Sequence, residues 1–115
     1  MATPKRVLRA IEKRDGLTCV WHGETCGEDV LVPQHRQGGM GGSRLKHRLS
    51  NVLWLCSHIN GLIEDNADAA DEARKLGIKV PFWDDTTEVP VTYPDGITYL
   101  LDDHGGKHHA GNTNT

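Results

Sequence analysis

Residues 30–36 read VLVPQHR and residues 50–60 read SNVLWLCSHIN, with GGMGGS at 38–43 between them. Val30, Leu31 and Val32 form a short β-prone apolar run that Pro33 closes just before Gln34, His35 and Arg36. Asn51 to Cys56 is of strand length and nearly all apolar, as a buried strand requires, and Ser57 is placed to cap a helix behind it. Gly38 to Ser43 reads as a loop, which Arg44, Lys46, His47 and Arg48 make basic. The order is strand, loop, strand, helix, with a polar residue at each junction. It predicts an α+β fold with two strands and a helix at its centre.

Outward from this core, Thr3 to Arg14 predicts a helix. Thr3-Pro4 supplies a cap and a first-turn proline, Val7, Leu8 and Ile11 share one face, and Gly16 stops it. Its other face carries Lys5, Arg6, Arg9 and Lys13, a solvated surface within reach of phosphate. Leu17 to Gly27, with its cysteines and glycines, reads as a knuckle or tight turn. Beyond Ser57 a helical pattern runs to Gly77, as two short helices broken near Asn66. Val89–Tyr93 and Ile97–Leu101 flank Pro94-Asp95-Gly96 and predict a C-terminal β-hairpin, with Pro90 at an edge. Gly105 to Thr115 is small and polar and reads as a disordered tail. The whole is one domain, residues 1–104, since 115 residues leave room for one core.

Hydrophobic residues make up 37% of the chain and thirteen residues are glycine, a thin core for so many loops, so a bound metal is an expected staple. Cys19, Cys26 and Cys56 cannot all pair with one another, and in a reducing compartment such a set more often binds metal. The net charge of −3 conceals a gradient: residues 1–60 carry nine Lys/Arg against five Asp/Glu, and residues 61–115 carry four against eleven. A basic front half points to a polyanion-facing surface. No apolar run approaches the ~18 residues of a membrane span, and the chain reads as soluble and cytoplasmic.

Phosphodiester hydrolysis needs a base for water, a divalent cation for the crowded phosphoryl oxygens, and a group that holds the base in line. His35 suits the first task, since an imidazole with an unperturbed pKa near ~6.5 is mostly neutral at cellular pH. Asn60 offers an amide oxygen from the first turn of a helix, which suits a hard ion such as Mg²⁺.

The stretches RDGLTCVWHGETC, VLVPQHRQGGMGGS and SNVLWLCSHIN together resemble the HNH (His-Me finger, ββα-metal) endonucleases, in particular the small kind common among phages of actinobacteria. The resemblance covers roughly residues 5–77. It implies a ββα-metal core in which His35 is the general base, Asn51 braces the loop and orients that base, and Asn60 binds a catalytic Mg²⁺ or Mn²⁺. It further implies DNA as substrate, with Arg36, Arg44, Lys46 and Arg48 on neighbouring phosphates.

Two positions depart from the family pattern. Members place Asp or His before the base as a metal ligand, where this chain has Gln34. Many relatives also bind structural zinc through two Cys-x-x-Cys pairs. Here the first pair reads Cys19-x-x-His22 and the second Cys56-x-x-Ile59, with Cys26 available as a fourth ligand and His58 as a weaker substitute. These departures keep a second reading open, a decayed module that binds nucleic acid or a host protein, and a third, a small structural zinc protein. The C-terminal hairpin lies outside the resemblance, and its edge offers a place for a protein partner.

Overall fold

A computed structural model describes residues 3–23, 30–38 and 44–110, with backbone alone at 44 and 45. Helix α1 (Lys5–Asp15) buries Val7 and Ile11 and ends at Gly16, whose φ of 75° no β-carbon has to tolerate. Pro4 rather than Thr3 holds the cap position, and no side chain caps the helix.

Strand β1 (Leu31–His35) pairs antiparallel with β2 (Val52–Cys56), Leu31 opposite Cys56 and His35 opposite Val52. The expected stop at Pro33 is corrected, because β1 continues through it. Pro33 lies opposite Trp54, whose carbonyl is engaged on its far side by the N–H of Val20 at 2.9 Å. The missing proline N–H therefore costs no ladder bond, and β1 is an edge strand where proline is tolerated.

All five residues of β2 are buried, as its apolar run predicts. Val52 and Trp54 pack with Val7 and Ile11 of α1, while Leu53 and Leu55 pack with Ile59 and Ile63 of α2 (Ser57–Asp65). Ser57 opens α2 without capping it. Cys56 holds the cap position, with no side-chain hydrogen bond. The helix breaks at Asn66, whose extended backbone ends α2 and whose Oδ1 accepts from the N–H of Ala69 at 2.9 Å to start α3 (Ala67–Lys75).

The chain then turns through Gly77 into a three-stranded antiparallel meander, β3 (Val91–Thr92), β4 (Thr98–Leu101) and β5 (Lys107–His109). The turn expected at Pro94-Asp95-Gly96 forms, with Gly96 at φ 83° and its N–H on the carbonyl of Tyr93 at 2.9 Å. A third strand replaces the start of the expected tail. Asp102 accepts from the N–H groups of His104 and Gly106, both at 2.8 Å, and so closes the tight turn that delivers β5. Residues 111–115 lie outside the described part. Among the described residues no helix is long and apolar enough to cross a membrane.

Candidate functional site

The β1–β2 ribbon ends at His35 and Val52, and the polar residues of interest gather at that end. Asn51 is 1% exposed. Its Oδ1 accepts from the N–H of Gln37 and its Nδ2 donates to the carbonyl of Lys46, both at 2.8 Å, while its own carbonyl accepts from the N–H of Arg36 at 2.7 Å. A single buried carboxamide thus ties together the two shoulders of the connection between β1 and β2. Bracing of the loop is the role that the resemblance implies for Asn51, and these are the contacts through which it would act.

His35 Nε2 lies 3.3 Å from Nδ1 of His47, so one of the two rings carries the shared proton. Burial, then the positive neighbours His47 and Lys46, lowers the pKa of His35. His47 is lowered too, by burial first and then by Lys46 and Arg6. At neutral pH both rings are therefore uncharged, and His35 Nδ1 makes no hydrogen bond among the described residues. His47 is 9% exposed, and its Nε2 is buried without a hydrogen-bond partner among the described residues. In the sequence it stands among three cations and reads as a phosphate contact. Its pairing with His35 depends on a fold-back across the loop that no local pattern shows.

The structure brings Asn60 together with Gln34 rather than with His35. Asn60 Nδ2 donates to Gln34 Oε1 in a close contact, and Gln34 Nε2 donates to the carbonyl of His35 at 3.2 Å. No hydrogen bond joins His35 to Asn60 among the described residues. The reason is the pleat. Successive strand residues point to opposite faces, so Gln34 turns with Leu53 toward α2 while His35 turns with Val52 toward α1 and His47. Asn60 Oδ1 accepts no hydrogen bond among the described residues and remains as an oxygen donor.

One expected phosphate contact is corrected. Arg36 is 1% exposed and donates to four backbone carbonyls, those of Gly77, Ser50, Thr86 and Val89, at 2.6–2.8 Å. Burial pushes its pKa down to about 10, and it stays charged as an internal clamp. Arg48 donates to Asp103 at 2.8 Å and to Asp85 at 3.2 Å, so its charge is already matched. The side chain of Arg44 lies outside the described part. Lys46 remains half-exposed beside the His pair. The exposed Lys5, Arg6, Arg9 and Lys13 of α1 form no ion pair among the described residues, and Arg6 is close enough to act on His47. Cationic surface near the His pair thus comes from Arg6 and Lys46, not from Arg36.

A second cluster lies beyond the far end of the ribbon. Cys19, His22 and Cys56 hold their ligand atoms within 4.8 Å of one another and could hold a metal ion such as zinc. His22 Nδ1 is 3.7 Å from Cys19 Sγ and 3.6 Å from Cys56 Sγ. Zn–S and Zn–N bonds of ~2.3 and ~2.0 Å at a tetrahedral angle would separate the two ligand atoms by ~3.6 Å, so the spacing suits the ion. Cys26 lies in residues 24–29, outside the described part. Ile59, which stands where a second cysteine pair would end, is 4% exposed and packs in the main core.

No family model matches the chain, and neither curated proteins nor solved structures give a match.

Proposed function

We propose that the chain is a ββα-metal domain of the HNH type, stapled by zinc and acting as a metal-dependent DNA endonuclease. The observation that carries this reading is the buried Asn51 carboxamide, which braces the loop shoulders beside an uncharged His35 whose Nδ1 makes no hydrogen bond among the described residues. His35 Nδ1 accepts a proton from water, and the resulting hydroxide attacks phosphorus in line with the leaving oxygen. Asn60 Oδ1 and Gln34 Oε1 would hold Mg²⁺ or Mn²⁺, which supplies charge neutralisation for the phosphoryl oxygens. Lys46 and the cations of α1 grip flanking phosphates without reading sequence. Cys19, His22 and Cys56, with Cys26, would hold the structural zinc.

The test is plasmid nicking under a Mg²⁺ or Mn²⁺ titration, with elemental analysis of the same sample for zinc. His35→Ala is expected to abolish nicking and leave salt-sensitive DNA binding in place. Full metal-dependent nicking by that variant would remove His35 from the mechanism.

One observation favours a second reading. Gln34 Oε1 already accepts from Asn60 Nδ2, and neither amide brings the negative charge that holds a divalent ion well. In that reading the domain is a decayed nuclease that binds nucleic acid or a host protein. An inert parent that gains nicking on Gln34→Asp would establish the decayed form.

A further inference from the structure

Between α3 and β3 the chain presents Phe82 and Trp83 to solvent, 78% and 72% exposed, with their rings edge to face at 5.1 Å. Large aromatic side chains usually bury most of their area, so two adjacent ones held outward on a turn call for an occupant. The turn is held from within. Gln37 is 6% exposed, and its Nε2 donates to the carbonyls of Pro81 and Asp84 at 2.7 and 2.6 Å, one on each side of the aromatic pair. The N–H of Val80 donates to the carbonyl of Arg36 at 2.8 Å. The two residues that follow His35 therefore set the position of the Phe82–Trp83 turn.

Beside the rings is a groove of about 370 Å³ lined by Arg74, Lys79, Val80, Pro81, Phe82 and Trp83. Its lining contains two cations and no acid. Arg74 is shared with Asp71, and Lys79 makes no ion pair among the described residues. Of the neighbouring acids, Asp85 is turned toward Arg48 and Thr87, while Asp84, directly after Trp83, is exposed outside the lining. The volume is at the low end of the ~300–1,000 Å³ range of small-molecule sites, the scale of one nucleotide rather than of a folded partner.

We propose that this groove is a stacking site for an unpaired nucleobase of single-stranded DNA, with the base packed against the Phe82–Trp83 pair and its phosphates on Lys79 and Arg74. Aromatic faces accept any base, and cations along the strand supply the remaining affinity. The inference rests on the nucleic-acid reading of the preceding section and extends it: the preferred substrate carries an unpaired stretch beside the cleaved phosphate.

The test uses the full chain without Mg²⁺ or Mn²⁺ and follows the anisotropy of a labelled oligo(dT), with an abasic oligonucleotide of equal length as the base-free control. The wild type is expected to bind oligo(dT) more tightly than the abasic strand. Phe82→Ala and Trp83→Ala should each weaken oligo(dT) binding by about 5- to 150-fold, the range for loss of one stacked base. They should leave binding of the abasic strand unchanged. Lys79→Ala should weaken both strands and reduce the salt slope by about 0.7. Both aromatics are exposed, so their variants keep the fold, which circular dichroism verifies.

Equal binding of oligo(dT) and the abasic strand, or equal binding by wild type and Trp83→Ala, overturns the proposal. So does self-association lost on Trp83→Ala, which would give the groove to a second copy of the chain. If nicking is absent while base-dependent binding survives, the stacking site stands and the nuclease reading falls. If nicking is present without base dependence, the reverse holds.

Discussion

Arg36→Met tests the correction that moves this residue from the DNA surface to the interior. The substitution keeps apolar length and removes a guanidinium that donates to the carbonyls of Gly77, Ser50, Thr86 and Val89. These carbonyls belong to the end of α3, the loop before β2 and the chain entering β3, so one side chain ties three segments to the residue after His35. Leaving a buried acceptor unsatisfied costs ~1–3 kcal/mol each, an upper bound of ~4–12 for four. Water entry and the relief of a buried charge offset part of this, and breaking a buried charged group's contacts typically costs ~3–5 kcal/mol. Taking ~3–6 °C per kcal/mol for a domain of this size, Tm should fall by on the order of 10–25 °C. Arg36→Lys, which keeps the charge with fewer directed donors, should fall between. Thermal unfolding by circular dichroism measures this, and the salt dependence of DNA binding is measured on the same samples below the variant's Tm. A near-native Tm together with a salt slope reduced by ~0.9 for duplex DNA would show Arg36 at a phosphate after all and refute the reasoning.

Chelation of the Cys19, His22, Cys56 cluster should lower Tm markedly and release zinc, and Cys56→Ser should give metal-free protein at the same reduced Tm; a chain whose unfolding is indifferent to chelator has no structural metal. The pH dependence follows from the His pair. Both imidazoles have folded pKa values below the unfolded ~6.5, so their contribution is fully present above ~6.5 and is lost as pH falls from there through the folded values. His47→Gln should flatten the fall of Tm between pH 7 and 5, and an unchanged profile would exclude the pair as its source. Gly77→Ala places a β-carbon 1.8 Å from the carbonyl oxygen of Pro90 at a φ of 77° and should prevent stable folding. Gly61→Ala, in α2 with open space around it, should instead stabilise by ~0.5–1 kcal/mol, and denaturant titration separates the two outcomes.

Much of the fold was legible because the relevant signals are local. The uninterrupted apolar run of 52–56 demands burial on both faces, Asn66 carries its own capping oxygen, and Pro94-Asp95-Gly96 turns by its own backbone preferences. The strand through Pro33 was not legible, because whether proline is tolerated depends on which side of Trp54 is already bonded to Val20, a long-range fact. β5 was hidden in the same way. Its residues look like a polar tail, and order comes from the turn that Asp102 closes and from pairing with β4. Arg36 shows the limit for site residues. An arginine beside a candidate catalytic histidine, in a chain with a basic front half, reads as a phosphate ligand, and the four carbonyls that capture it come from positions 14 to 53 residues away.

The two-residue period of a strand explains why the site divides as it does. Gln34 and His35 are neighbours, yet their side chains leave the ribbon on opposite faces, one meeting α2 and the other the His47 loop. In the proposed reaction a phosphate would have to meet both side chains past the end of the ribbon, where the pleat no longer separates them. Asn51 stands at that end, bonded to the segments that carry both sets of residues, since Gln37 follows the Gln34-His35 pair and Lys46 precedes His47. Geometry at the ribbon end is therefore governed by a residue that need not touch the substrate. Loss of Asn51 should uncouple the two faces, and with them the base from the oxygen donors, more severely than loss of either donor alone.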